Sequence, residues 1–181
     1  MKRTAMLIVF ATLLVACADE ADPPAPVATA PESPAVEVDE RRVGIYGALI
    51  PELVSSEGMT WRRVYVVTGL CTDPTELVGD QPEPCEDVLS EAEQQALRER
   101  LGDQDLRFID DPTKLYDDDW FEGAPNEVVV TLGPIVERDG DVRVGASYLC
   151  GGLCGSGSTW VLEERDGSWK VVGTRGPSWI A

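Results

Sequence analysis

The chain of 181 residues contains no histidine. This excludes Ser-His-Asp and Cys-His catalysis and every histidine-bearing zinc site, which removes much of the ordinary hydrolase repertoire. Basic charge is also scarce: 15 Lys and Arg stand against 33 Asp and Glu, for a net charge of −18. A polyanion such as nucleic acid would be repelled, and so would a surface of anionic lipid headgroups. There is no long hydrophobic run either. The longest, from Ala5 to Val15, is about half of the roughly 20 residues a spanning helix needs.

That run follows Lys2 and Arg3 and leads into Leu14-Val15-Ala16-Cys17. A charged start, an apolar core and small residues before a cut form a bacterial secretory signal. With a Cys at the cut, residues 1–17 resemble the lipobox family of secreted, diacylglycerol-modified lipoproteins. The resemblance implies that residues 1–16 are removed as a signal peptide and that Cys17 becomes the lipid-bearing N-terminus. It also implies a cell-envelope location outside the cytoplasm, with the membrane reached through lipid. Each buried methylene of an acyl chain contributes about 0.8 kcal/mol, and stable anchoring takes more than one chain. Ala18, where an Asp would retain some such proteins at the inner membrane, favours the outer membrane if the cell has one. Loss of Lys2 and Arg3 leaves 13 basic against 33 acidic residues, a net charge of −20.

Composition divides the remainder into a tether and a domain. Residues 17–38 hold Cys17 and then Pro23, Pro24, Pro26, Pro31 and Pro34 among alanines and acids, with no aromatic residue. Such a segment cannot build a core and is expected to be disordered. At about 3.1 Å per residue it would hold a domain as much as roughly 60 Å from the lipid. Residues 39–181 are one ordinary domain's worth of chain.

Within it, Val43, Tyr46, Leu49, Ile50, Leu53 and Val54 recur at helical spacing behind Asp39-Glu40, so a helix is expected, kinked or restarted at Pro51. Arg62 to Leu70 is apolar on both faces and predicts a central strand. Ser90, Glu93 and Gly102 bracket a capped helix over residues 91–101, with Ala96, Leu97 and Leu101 as its apolar stripe. Leu106 to Ile109 suggests a short strand. Then Val128 to Glu137, Val142 to Leu149, Thr159 to Glu163 and Trp169 to Gly173 form two hairpins around Asp139-Gly140 and Asp166-Gly167. The expected fold is α+β, with N-terminal helices packed on a C-terminal antiparallel β-meander. In architecture alone it resembles the cystatin-like and NTF2-like domains.

Cys71, Cys85, Cys150 and Cys154 are an even set in an exported domain, where disulfides persist. Nearness in sequence favours Cys71 with Cys85 and Cys150 with Cys154. In an extended strand Cys150 and Cys154 would stand about 13 Å apart, whereas a bridge needs Cα atoms within about 7 Å. The chain must therefore turn there, at Gly151 and Gly152 with Gly155 and Gly157 beyond. A redox pair is the sharper alternative, but the spacing is three residues rather than two and no helix start follows to activate a thiol.

Asp110, Asp111, Asp117, Asp118, Asp119 and Glu122 form the densest acidic cluster. Calcium takes six to eight oxygens, and Asp117, Asp118, Asp119 and Glu122 are the candidate ligands, although their order does not match an EF-hand loop. No other cofactor is indicated. Trp61, Trp120, Trp160, Trp169 and Trp179 would stack on sugars if exposed; packing is expected for most, with Trp179 open. These features point to a non-catalytic binding or envelope-interaction module whose partner is an envelope component or a protein. A small carboxylate-dependent hydrolase of the envelope is the alternative.

Overall fold

Elements change where the apolar periodicity changes. The computed structural model describes residues 38–55, 60–71, 85, 87–115, 126–151 and 154–180. Helix α1, Glu40–Ser55, starts at Asp39, whose carboxylate accepts hydrogen bonds from the backbone N–H groups of Arg41 and Arg42, each at 3.0 Å. Of the kink or restart expected at Pro51, the restart does not occur: α1 runs through Pro51 as one element. Its neighbours Ile50, Leu53 and Val54 are buried while Pro51 is exposed. Burial of such side chains contributes about 1.5–3 kcal/mol each, enough together to outweigh the roughly 3 kcal/mol cost of an interior proline.

Strand β1, Arg63–Val67, has a neighbour on each side, as its two apolar faces require. Beyond Thr68 the chain leaves that sheet. Strand β2, Gly69–Leu70, pairs only with β3, Asp87–Val88, in a separate two-stranded ribbon. Helix α2, Glu91–Leu101, carries the expected capping box: Ser90 Oγ accepts from the Glu93 N–H, and the Glu93 carboxylate accepts from the Ser90 N–H at 2.8 Å. Gly102, with φ of 60°, ends it. Strand β4, Leu106–Ile109, then lies parallel to β1. Parallel neighbours need a crossover, and α2 supplies it.

A 3-10 turn, Pro112–Leu115, follows. The rest is β5 (Glu127–Arg138), β6 (Asp141–Leu149), β7 (Gly155–Arg165) and β8 (Ser168–Ile180), paired antiparallel in sequence order. Both hairpin turns are two residues long with positive φ throughout: 56° and 83° at Asp139-Gly140, 54° and 71° at Asp166-Gly167. Such turns match the twist of the strands they join.

The fold is α+β. Its sheet order is β4-β1-β5-β6-β7-β8, so the meander is extended by two parallel strands that precede it in the chain. Both helices lie on one face. There α1 packs against β5, β6 and β8, and α2 against α1 and β4. Val64, Val66, Val128, Val130, Leu132, Val144, Ala146 and Tyr148 point into this core. The opposite, outer face carries a smaller cluster of Val67 and Val129 backed by Tyr65, Ile109, Leu115 and Leu149. Among the described residues no helix is long and apolar enough to cross a membrane.

Candidate functional site

Two Gly-Pro dipeptides shape the outer face. In β5 the register shifts between Leu132 and Ile135, at Gly133-Pro134. Proline has no N–H for the ladder, so inside a sheet it belongs at a bulge. Gly133 precedes it because a Cβ there would lie 3.0 Å from the carbonyl oxygens of both Cys71 and Gly145. In β8 the pairing jumps from Gly157–Trp179 to Thr159–Arg175, and Gly176-Pro177 falls in the gap, with Gly176 at φ 76°.

Strands β6 and β7 run between these bulges, with Gly145 directly opposite Thr159. The result is an outer-face cavity of about 310 Å³. Pro134 and Val136 form an apolar wall, and Gly145 and Thr159 are among the residues beneath. Arg138, Arg143, Arg175 and Gly176 complete the lining.

The electrostatics of this cavity run against those of the chain. Arg143, with a side chain only 15 % exposed, donates through Nη2 to Asp139 Oδ2 at 3.2 Å and to Asp141 Oδ2 at 3.3 Å. Arg175 Nη2 reaches the same Asp141 oxygen at 2.9 Å, and Arg138 Nε lies 3.7 Å from Asp139 Oδ2. Three guanidiniums thus share two carboxylates, leaving one positive charge over. Arg143 Nε is buried and has no hydrogen-bond partner, a state that costs about 1–3 kcal/mol or more for a charged group.

The cysteines pair as their spacing suggests. The Cys71–Cys85 and Cys150–Cys154 disulfides have Cα separations of 4.3 and 5.1 Å. The first is held against β5, because the Cys71 N–H donates to Leu132 O at 3.1 Å. The second closes the turn between the two hairpins, where the Cys150 N–H also donates to Cys154 O at 2.8 Å. Cys150 is 7 % exposed, and its partner Cys154 is partly buried. Gly155 and Gly157 do not serve this turn as expected. They lie in β7 beneath the Trp179 indole, and a Cβ on Gly157 would stand within van der Waals radii of Trp179 Nε1.

Asp117, Asp118, Asp119 and Glu122, with Trp120, lie outside the described residues. Asp111 is described and accepts from the Thr113 hydroxyl and N–H, bonds that hold its carboxyl below the usual range. Among the described residues no group of three or more acidic or cysteine side chains is placed to hold a metal ion. The remaining tryptophans are all at least half-buried. Trp61 Nε1 donates to Val54 O at 2.8 Å at the end of α1, and Trp169 packs on Gly44 beneath Arg41. Trp160 and Trp169 are not cross-strand partners: they face Thr174 and Glu164 respectively.

Carboxylates do meet at the starts of β1, β4 and β5, but around an arginine. Arg63 Nε donates to Asp105 Oδ2 at 2.8 Å and Nη1 to Glu127 Oε1 at 3.1 Å, while Arg107 holds the other Asp105 oxygen at 2.7 Å. The bond from Arg63 holds the Asp105 carboxyl below its ordinary range. A glycosidase acid needs the opposite shift.

Sequence reasoning missed the cavity. Its signals were present as Gly-Pro twice inside β-rich runs, which marks bulges, and as arginines within strands of a chain poor in basic residues. No protein-family model, curated protein or solved structure matches this chain.

Proposed function

We propose that this chain is a lipid-anchored, extracytoplasmic binding module and that the outer-face cavity is its binding site. The observation that carries the reading is the composition of that cavity. It offers guanidiniums, a hydroxyl and an apolar wall, and among the described residues that line it none bears a carboxylate. Two disulfides in the folded part favour an oxidising compartment, and the Leu14-Val15-Ala16-Cys17 signal supplies the route there and the lipid on Cys17. The hydrolase alternative draws no support from Asp105 and Glu127, which are ion-paired with Arg63, Arg107 and Arg62. Calcium at Asp117, Asp118, Asp119 and Glu122 is retained only as an accessory to this reading.

The test is fractionation of bacteria expressing the full chain and fed a labelled fatty acid. Label and membrane association are expected for the native chain and lost together in Cys17→Ser, with the protein recovered outside the cytoplasm. An unlabelled chain, or one whose membrane association survives that substitution, contradicts the anchoring half. Turnover of an envelope glycan by the purified chain contradicts the binding half.

A further inference from the structure

We infer that the outer-face cavity binds a singly charged oxyanion, a carboxylate or a phosphodiester, carried on a small apolar body. The inference rests on the reading of the cavity as the module's binding site. A chain with 33 acidic and 15 basic residues has carboxylates enough to neutralise every arginine separately. Arg138, Arg143 and Arg175 instead converge on one hollow and divide Asp139 and Asp141 among them.

The surplus is a single positive charge. One anionic group balances it, whereas a di- or trianion would leave unbalanced negative charge on an already acidic domain. Attraction must therefore act at contact range. Arg143 and Arg175 engage aspartate through Nη2. Their Nη1–H donors remain for single charge-assisted hydrogen bonds to carboxylate or phosphate, and among the described residues the buried Arg143 Nε has no acceptor.

The rest of the cavity fits an apolar body. Pro134 and Val136 line one side, and Val136 is 48 % exposed. Thr159 adds a hydroxyl donor. Ligand sites begin at roughly 300 Å³, so a volume of about 310 Å³ admits a small molecule or one terminal group of a larger one.

Pentanoate, dibutyl phosphate, pentanamide and citrate, titrated separately into the full oxidised chain by calorimetry and by amide NMR shifts, test this. Saturable binding of pentanoate, dibutyl phosphate or both is expected, with shifts at Gly145, Thr159 and Gly176. Pentanoate alone points to a free carboxylate as the natural group, dibutyl phosphate alone to a phosphodiester. Pentanamide should not bind, and citrate should bind more weakly than the monoanions. Arg175→Gln should weaken binding about tenfold, the loss of one charge-assisted bond, with the fold intact because that side chain is 58 % exposed; Arg143→Gln should weaken it at least as much. Equal binding of pentanoate and pentanamide overturns the charge inference while leaving the cavity as a binding site. Citrate binding tighter than pentanoate overturns the single-charge balance. Binding of none of the four overturns both the inference and the reading beneath it.

Discussion

Asp105 is the residue on which the charged cluster at the strand starts turns. It accepts from Arg63 at 2.8 Å and from Arg107 at 2.7 Å, and the Arg63 bond holds its carboxyl below the usual 3.8. A folded-state value below the unfolded one means stability that is present above about pH 4 and is lost as pH falls through the folded value. Asp111, lowered by its Thr113 bonds, adds in the same direction. Acid denaturation followed by circular dichroism should therefore be shallower below pH 4 in Asp105→Asn than in the native chain, and the variant should be the less stable of the two at pH 7. At this scale the cysteine pairing was legible, since four thiols allow three arrangements and only one joins cysteines close in sequence. The arginine cavity was not. Net charge is a sum, and −18 hides three arginines that only strand register brings together from positions 138, 143 and 175.

Elements with local signals were legible, and those that depend on distant partners were not. Ser90, Glu93 and Gly102 bracket α2 within one turn at each end, and Asp-Gly fixes each hairpin by its positive φ. Ser90→Ala removes the cap, leaves the nearly buried Glu93 without one partner, and should cost about 1 kcal/mol or somewhat more in urea unfolding. Helix α1 gives the opposite sign. Pro51 sits on its exposed side with no N–H to offer, so Pro51→Ala should raise stability by as much as ~3 kcal/mol, measured the same way. Of the expected kink or restart, the restart does not occur because apolar burial on either side of Pro51 outweighs the missing bond. The placement of β1 between β4 and β5 could not be read, because strand order depends on where α2 carries the chain and no local residue encodes that. The bulges at Gly133-Pro134 and Gly176-Pro177 lay in plain view but were passed over as strand continuation and strand end.

At the scale of the whole molecule, the two faces of the sheet do different work. The inner face is filled by α1 and α2, with Tyr46 buried beneath them and donating its hydroxyl to Gly133 O at 3.0 Å, which ties the core directly to the bulge that shapes the cavity. Burial drives the Tyr46 phenol well above its ordinary pKa, so it remains a protonated donor at neutral pH. The outer face carries the cavity between two bulges, and the Cys71 contact to Leu132 holds the near side of the first bulge in place. Cys71 and Cys85 close a loop of about 15 residues, worth roughly 3 kcal/mol in the chain-entropy model. Reduction should accordingly lower stability and loosen the cavity wall together, visible as a fall in Tm accompanied by weaker ligand binding.

The most direct measurement is the melting temperature of the full oxidised chain against Ca²⁺, envelope glycans and small monoanionic carboxylates in turn. A ligand of the native state raises stability by about 2.7 kcal/mol at a hundredfold excess over its dissociation constant. The account predicts a saturable rise with a monoanion that Arg143→Gln reduces. A rise with glycans or Ca²⁺ alone, indifferent to Arg143 and Arg175, would contradict it.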